Sequence, residues 1–374
     1  MEFTIHNQVL LLVFLIALAM GAVANKTNFC TMGAVSDWVN MGDTGRLRAW
    51  LLAMAVALSG VLLLETTGMV NVDTEVFPPY RTANFAWLRY LLGGLLFGVG
   101  MTLGGGCGNK TLVRIGGGNL KSLVVLVVAS IAAYLMLWGE LYGWAFDPWI
   151  SATSVGLGSH GIRSQELSAV IAGIAGAEGG PHMHLLVGGI VAFAMLAFVF
   201  SSHEFRGSFD NVLGGLVIGL AIVGGWAITG GSMGAAWKEY AEFATEVPSR
   251  VQVQSFTFIS PMGDTARYLM EPGKLHFINF GIMALAGVIV GSLLYSLLKR
   301  QFRFEWFANR EDGVNHVVGG ILMGIGGVLS MGCTIGQAVT GFSTLALGSI
   351  LTFVAIVAGS AATMKYLYWR ALQD

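Results

Sequence analysis

Charged residues are scarce in this sequence: they make up 11% of its 374 residues, against a hydrophobic content of 55%. Soluble domains carry roughly twice this proportion of charge, so the composition excludes a typical water-soluble protein. The formal net charge of −1 argues against nucleic acid as a partner, because nucleic-acid-binding domains have an excess of basic residues. With a mean hydropathy of +0.71, the chain is predicted to be an all-α polytopic protein of the lipid bilayer.

Cysteine is scarce as well, and the three present are Cys30, Cys107 and Cys333, each in an apolar, glycine-rich setting. No C-x-x-C pair occurs, so zinc sites and thioredoxin-like sites have little support, and no metal or cofactor is expected. A free cysteine often packs as a small hydrophobic residue, and for any one of the three this structural interpretation stands beside a functional one. Two cysteines at equivalent positions of a repeat favour function.

Glycine, in contrast, is abundant and marks an internal repeat. The stretch from Gly93-Gly94 begins as an apolar helix and becomes glycine-rich around Cys107. A second copy begins at Gly319-Gly320 and leads to Cys333, which lies fourteen residues after the first glycine, as Cys107 does. A third copy, from Gly214-Gly215, lacks the cysteine. Interrupted apolar segments at matching positions are typical of membrane transporters.

A fourth interruption lies near the N-terminus. The segment from Cys30 to Ala34 matches the segment from Gly231 to Ala235, so Gly231 takes the position of Cys30. The four breaks divide the chain into a first repeat (residues 1–140), a connecting loop and linking span (141–210) and a second repeat (211–374). We expect about nine transmembrane helices plus four short helices that follow the breaks at mid-membrane.

The remaining segments are assigned by their polarity. The N-terminus lacks the basic segment of a cleaved signal peptide, so the apolar run from Val9 to Ala24 is interpreted as a retained span. Residues 236–275 are predicted to form a loop. Residues 139–184 are the least readable part of the sequence; within them, residues 156–161 resemble a loop, and a short interfacial or re-entrant helix is predicted from Leu167 to Ala175.

The odd number of spans between the repeats predicts that the two have opposite orientations. Basic residues then predict the sidedness of the protein. If the N-terminus is periplasmic and the C-terminus cytoplasmic, the inner segments hold Arg46, Arg48 and the basic cluster from Lys299 to Arg303. The positive-inside rule favours this orientation.

The breaks predict an anion site. The first amides of a short helix carry partial positive charge, and several helix N-termini that converge can bind an anion without a buried arginine. A buried thiol stays neutral and donates a weak hydrogen bond, and its soft sulfur suits a sulfur-bearing ligand. The candidate residues are the three cysteines with Gly106, Gly108, Gly231, Gly332 and Thr334.

Two lysines flank the breaks. Lys26 and Lys110 either attract an anion towards the thiols or extend to the nearer membrane surface. The pair His182 and His184 is interpreted as part of a plain loop in preference to a metal site. Glu65, at the end of a span, is interpreted as a solvated cap.

Three motifs carry a family resemblance: Phe29-Cys30-Thr31-x-Gly33-Ala34, Gly105-Gly106-Cys107-Gly108, and the stretch from Met331 to Gln337 around Cys333. The chain resembles the YeeE/YedE family of bacterial inner-membrane transporters of sulfur compounds. The resemblance implies an hourglass-shaped protein of inverted repeats with the three cysteines in line along a central path. It also implies thiosulfate as substrate, passed between thiols by S–H···S hydrogen bonds, and a soluble TusA-like sulfur carrier protein as partner.

We therefore expect a transporter, not an enzyme, that imports thiosulfate or a related sulfur oxyanion. The alternatives are a soft-metal or selenium-compound transporter and a membrane-embedded sulfurtransferase. A sulfurtransferase needs a base beside its nucleophile, and no histidine lies close in sequence to any of the cysteines. The nearest in the repeat of Cys333 is His316, a helix length away.

Overall fold

The structure, a computed structural model, describes residues 4–72, 76–176 and 180–373. The first three residues, on which the interpretation of the N-terminus partly rests, lie outside the described part. The helices are α1 (Ile5–Lys26), α2 (Thr31–Met41), α3 (Gly45–Thr66), α4 (Trp87–Leu103), α5 (Gly108–Gly116), α6 (Leu120–Leu137), α7 (Leu141–Ala145), α8 (Asp147–Thr153), α9 (Leu167–Ala175), α10 (Pro181–Ser201), α11 (His203–Gly207), α12 (Phe209–Gly230), α13 (Ser232–Phe243), α14 (Ile259–Met270), α15 (Phe280–Leu298), α16 (Arg310–Leu329) and α17 (Leu347–Ala371).

Other regular structure is limited to short pieces. A π-helix covers Thr334–Gly341 and continues as a 3₁₀ turn over Phe342–Thr344. Two further 3₁₀ turns cover Leu157–His160 and Leu275–Phe277. Strands β1 (Asn84–Phe85) and β2 (Val155–Gly156) pair antiparallel.

Within the described residues, nine helical segments are long and apolar enough to cross a membrane. Three of them, Ile5–Met41, Trp87–Gly116 and Arg310–Thr344, include both a long helix and the short helix after its break. The prediction of an all-α polytopic membrane protein with about nine transmembrane helices is confirmed.

Glycine determines how closely the long helices pack. Helix α4 packs against α16 and α17, α6 packs against α16, α1 packs against α15, and α3 packs against α12. At the α4–α16 contact, a Cβ placed on Gly100 would lie 2.8 Å from the carbonyl oxygen of Gly319, and one on Gly319 would lie 2.7 Å from that of Gly100. Small residues permit such close backbone contact between helices in lipid, where dispersion forces hold helices together.

The structure corrects one loop and confirms one short helix. Residues 236–275 are not a continuous loop, because they contain the end of α13 and the whole of α14, which packs against α6. The polar composition of this stretch favoured a loop, and Pro261 does not prevent the helix, because proline in the first turn of a helix costs no backbone hydrogen bond. The helix predicted from Leu167 to Ala175 is α9.

Candidate functional site

The four predicted breaks each supply the N-cap of a short helix. The N-caps are Cys30 for α2, Cys107 for α5, Gly231 for α13 and Cys333 for the π-helix. The three cysteines are free thiols and are at most 3% exposed. The polar amides of three helix N-termini therefore start inside apolar, membrane-spanning segments.

The helix before each cysteine ends in the same way. Two residues before the cysteine the backbone is left-handed, at Asn28, Gly105 and Met331. The amide of the following residue then donates to the carbonyl five residues earlier, from Phe29 to Ala24, from Gly106 to Met101 and from Gly332 to Gly327. These hydrogen bonds define the Schellman motif. Gly106 and Gly332 thus close the preceding helix directly before the cysteine opens the next one.

The cysteine sulfurs are held differently. The sulfur of Cys30 accepts a hydrogen bond from the amide of Gly33 at 3.4 Å, and that of Cys333 accepts one from Gly336 at 3.5 Å. Cys107 makes no such cap. Its sulfur accepts a hydrogen bond from the hydroxyl of Thr31 at 3.9 Å. Of the three thiols, that of Cys107 is therefore the one that does not cap its own helix.

Cys107 is close to residues of both other cysteine breaks. Its thiol is next to Cys30 and Thr31 and next to Thr334. Thr334 follows Cys333, whose thiol is also near enough to Cys107 for their charges to interact. The structure thus brings together Cys30, Cys107 and the start of the Cys333 helix.

Several polar side chains around this cluster are buried without hydrogen-bond partners. Among the described residues, they are the hydroxyl of Thr257, both polar atoms of the Asn109 amide and the hydroxyl of Thr334, which lies beside the Cys107 sulfur. Thr257 lies against Gly336 in the turn after Cys333. An unpartnered buried polar group costs about 1–3 kcal/mol, so these groups indicate a place for a polar ligand. Asn109 and Thr257 were not predicted from the sequence, although an asparagine two residues after Cys107 was a visible signal.

A buried network fixes the turn after Cys333. The side-chain amide of Gln337 donates to the carbonyl of Ser330, and its oxygen accepts from Ser349 at 2.5 Å. The hydroxyl of Tyr80 donates to the carbonyl of Gly336 at 2.6 Å. Because these contacts come from three separate elements, the position of Cys333 is set by the surrounding helices as well as by its own.

The other two candidate glycines have different neighbours. A Cβ on Gly108 would make ordinary contact with Ile259 and Phe258, so α5 begins against the start of α14. A Cβ on Gly231 would meet Ala227 and Met69, and no cysteine is among its nearest neighbours.

The two candidate lysines occupy different surroundings. The ammonium of Lys110 donates to the side-chain oxygen of Asn28, and its charge acts on both Cys30 and Cys107. Lys26 instead pairs with Asp210 at 3.5 Å and is 36% exposed at its side chain. Of the two, Lys110 is the one placed at the breaks.

Arginines extend the positive charge beyond Lys110. Arg114 donates to the carbonyl of Gly105 at 2.7 Å, and Arg46, paired with Asp37, lies against Gly33. These cations lie at the ends of α5 and α2–α3, on one side of the cysteines. Together with Lys110 they give this side of the cysteine cluster a positive charge.

The structure corrects the interpretation of four polar residues. Glu65 is not a solvated cap, because its carboxylate is paired with Arg81 and His184. His182 and His184 belong to the first turn of α10 and not to a loop. His316 is remote from Cys333 in sequence, but its ring lies beside Gly105, two residues before Cys107.

No metal centre accompanies these residues in the part of the chain that the structure describes. Among residues 4–72, 76–176 and 180–373, no three His, Cys, Asp or Glu side chains are arranged to hold a metal ion.

Comparison with known proteins places the chain in a family. The family model described as "Sulphur transport" matches residues 26–362, which include all three cysteines. The chain is similar to the thiosulfate transporter TsuA of Escherichia coli, with 22% identity over 341 residues that cover 85% of this chain and 83% of that protein. It is also similar to the thiosulfate transporter TsuA of Spirochaeta thermophila, with 23% identity over 377 residues that cover 95% and 98%.

Both relatives are named as transporters, which confirms the prediction of a transporter rather than an enzyme. The resemblance to the YeeE/YedE family is confirmed by the same comparisons. Because the family model covers most of the described helices, this multi-pass membrane protein belongs to the sulphur transport family.

Proposed function

We propose that this protein imports thiosulfate, or a related sulfur oxyanion, along a central path lined by cysteine thiols and short-helix N-termini. The observation that carries the proposal is the proximity of Cys107 to both Cys30 and Thr334, beside buried polar groups that lack partners. Two relatives that align with most of the chain are named thiosulfate transporters.

The chemistry of the cluster fits a sulfur oxyanion. Thiosulfate has oxygens that accept from hydroxyl and amide donors, and Thr334 and Asn109 supply such donors unpaired. Its terminal sulfur accepts a weak S–H hydrogen bond from a thiol. Since the sulfur of Cys107 already accepts from Thr31, its own S–H is available to donate. Contacts that are each weak let the anion move on to the next thiol.

The proposal includes an order of contacts along the path. From the end that carries Arg250 and Asp264, an anion would pass Thr257 and Cys333, then Cys107, then Cys30. It would leave towards Lys110 and Arg46. The positive charge near the exit compensates the charge of the anion after it leaves the thiols.

The proposal also includes two inverted repeats, residues 1–140 and 211–374. In the sequence repeat, Gly93 corresponds to Gly319 and Gly100 to Gly326. Where α4 packs against α16, Gly93 lies against Gly326 and Gly100 lies against Gly319. If each glycine is replaced by its counterpart in the other repeat, the first contact becomes the second. A two-fold axis between the repeats requires this reciprocity.

Further helix contacts support the repeats. Gly94 and Gly98 of α4 lie against the backbone of α17, with the carbonyls of Thr352 and Ile356 nearest. In the second repeat, Gly320 and Gly324 lie in the same way against α6, at Val125 and Ala129.

We place the protein in a bacterial inner membrane with a periplasmic N-terminus and a cytoplasmic C-terminus. Arg46, Arg114 and the cluster from Lys299 to Arg303 would then lie towards the cytoplasm, as the positive-inside rule favours. A TusA-like sulfur carrier protein in the cytosol is the proposed acceptor of the imported anion.

The experiment is uptake by proteoliposomes that contain the pure full-length protein. We expect radiolabelled thiosulfate to enter these vesicles and not protein-free vesicles. Unlabelled thiosulfate should compete with this uptake, whereas phosphate at the same concentration should not. Uptake that phosphate suppresses as well as thiosulfate does would contradict sulfur recognition. Uptake of cadmium in place of thiosulfate would favour the soft-metal alternative.

A further inference from the structure

A second polar site lies at the end of the molecule opposite Arg46. Here α3 ends and α10 begins, and a cavity of about 700 Å³ opens between them and α9. Among the residues that the structure describes, the titratable side chains that line the cavity are Glu65, Arg163, Glu166 and His184. Arg81, from the segment between α3 and α4, is paired with both carboxylates. None of these residues belongs to the cysteine cluster.

The ring of His184 is held by two carboxylates at once. Its Nε2 lies 2.8 Å from Oε2 of Glu65, and its Nδ1 lies 2.6 Å from Oε1 of Glu166. An ionised carboxylate only accepts hydrogen bonds, whereas a neutral imidazole has one donor and one acceptor. Both contacts are satisfied together only when His184 is the doubly protonated imidazolium.

Arg81 completes a balanced cluster. Its Nη1 lies 2.6 Å from Oε1 of Glu65, and its Nε lies 3.4 Å from Oε2 of Glu166. With His184 protonated, two cations neutralise two anions. If His184 loses its proton, one carboxylate loses its hydrogen bond and the partly buried cluster keeps an uncompensated negative charge. Arg81 stays charged at any accessible pH, so the exchangeable proton is on His184.

The acid–base balance of Glu166 agrees with this assignment. Burial disfavours its ionised form, but the hydrogen bond to His184 and the charge of Arg81 outweigh burial, and together they lower the pKa of the Glu166 carboxyl. The carboxyl is therefore ionised at neutral pH and leaves the proton to the histidine.

The cluster is connected to the break at Cys333 through the backbone. The amide of Leu167 donates to the carbonyl of Leu345 at 2.9 Å, and the amide of Leu347 donates to that of Gln165 at 3.0 Å. Arg81 also lies 3.3 Å from the carbonyl of Thr344, the last residue of the turn after Cys333. A change at Glu166 thus acts on the segment where the π-helix and its 3₁₀ extension end.

Import of an anion needs a driving force. An inside-negative membrane potential opposes each negative charge that moves inward, so a proton that moves with the anion makes entry easier. We propose that His184, held between Glu65 and Glu166, binds a proton at the outer end and that this proton enters together with the anion. This inference rests on the proposed import function.

The test uses the full-length protein in proteoliposomes, with the membrane potential clamped and thiosulfate as the probe. At one proton per anion, an inward pH gradient of one unit should raise the accumulation ratio about tenfold, because the proton activity differs tenfold. A pH-sensitive dye inside the vesicles should report acidification when thiosulfate is added.

Two variants and a control assign the effect to the cluster. The response to the gradient is the ratio of uptake with the gradient to uptake without it, measured in the same vesicle batch. His184→Gln and Glu166→Gln should each reduce this ratio from about ten to about one. His182→Gln is the matched control, since it lies in the same helix turn at an exposed position, and it should keep the tenfold response.

The outcomes separate the two proposals. Exchange of internal for external thiosulfate by wild-type protein, without acidification and without a gradient effect, would overturn proton coupling and leave import standing. If wild-type protein performs no such exchange, import fails and the coupling fails with it. A full tenfold response in both His184→Gln and Glu166→Gln would also overturn the role of the cluster.

Discussion

Gly93 of α4 and Gly326 of α16 contact each other with no side chain between them. A Cβ on Gly93 would lie 2.9 Å from the carbonyl oxygen of Gly326, and one on Gly326 would lie 2.7 Å from that of Gly93. Neither neighbour is a flexible side chain that can move away. The two halves of the chain are therefore held together at a point where only glycine fits.

This contact predicts that Gly93→Ala and Gly326→Ala destabilise the protein. A methyl group that the backbone cannot accommodate costs about 1–3 kcal/mol, and thermal unfolding in detergent should shift to lower temperature. Gly189→Ala on α10 is the control, because no atom lies within 4 Å of its Cβ position. Alanine favours helix there by about 1 kcal/mol. Equal stability of Gly93→Ala and Gly189→Ala would contradict the packing described here.

The unpartnered hydroxyl of Thr334 yields a prediction in which stability and transport change in opposite directions. Thr334→Val keeps the shape but removes a buried hydroxyl without a partner, so stability should be unchanged or higher. Thiosulfate uptake should fall about tenfold, because an oxygen of the anion loses its donor. Thr363→Val is the control, because the Thr363 hydroxyl already donates a hydrogen bond to the carbonyl of Gly359 within α17. Wild-type uptake by Thr334→Val would remove this residue from the path.

The two lysines near the breaks are predicted to differ. Lys110→Met removes positive charge beside Cys30 and Cys107, so the initial rate of uptake should fall by about tenfold at low salt and by less at high salt. Lys26→Met breaks an ion pair with Asp210, which is 55% exposed, and a contact with the Phe209 ring, and should leave the rate within about twofold. Equal losses in the two variants would indicate a general effect of charge.

The proposed orientation places the C-terminus in the cytoplasm. A fluorescent reporter that folds only in the cytoplasm should therefore give signal when fused after α17. This orientation is expected because it places basic residues at the cytoplasmic ends of the spans. Activity of a periplasm-specific reporter at the same site, with a dark fluorescent fusion, would reverse the topology.

The breaks could be predicted from the sequence because their backbone conformation and close packing favour glycine at particular positions. A left-handed backbone two residues before Cys107 requires a residue such as Gly105, and the repeated glycines needed for close helix packing stand at fixed spacing from the cysteines. Periodic and conformational requirements of this kind are visible in one sequence. The helix N-caps at Cys30, Cys107, Gly231 and Cys333 follow from them.

The contacts between distant elements were not predictable. Glu65 and His184 are 119 residues apart in sequence, and no period or motif connects them, so Glu65 was interpreted as a solvated cap. Asn109 was missed for a related reason, because the absence of a partner is a property of the packed structure. Helix α14 was missed because the polar composition of residues 236–275 suggested a loop, whereas packing against α6 stabilises the helix.

The most direct test of the central claim is the initial rate of radiolabelled thiosulfate uptake by Cys107→Ala and Cys107→Ser proteoliposomes relative to wild type. Removal of one buried sulfur atom should cost on the order of 1 kcal/mol of stability, so both variants should fold and insert normally. We expect uptake to fall at least about tenfold in both variants, because alanine has no hydrogen-bond donor and serine keeps a hydrogen-bond donor but lacks the soft sulfur. Uptake by Cys107→Ser at the wild-type rate would contradict the claim that the thiols carry the anion.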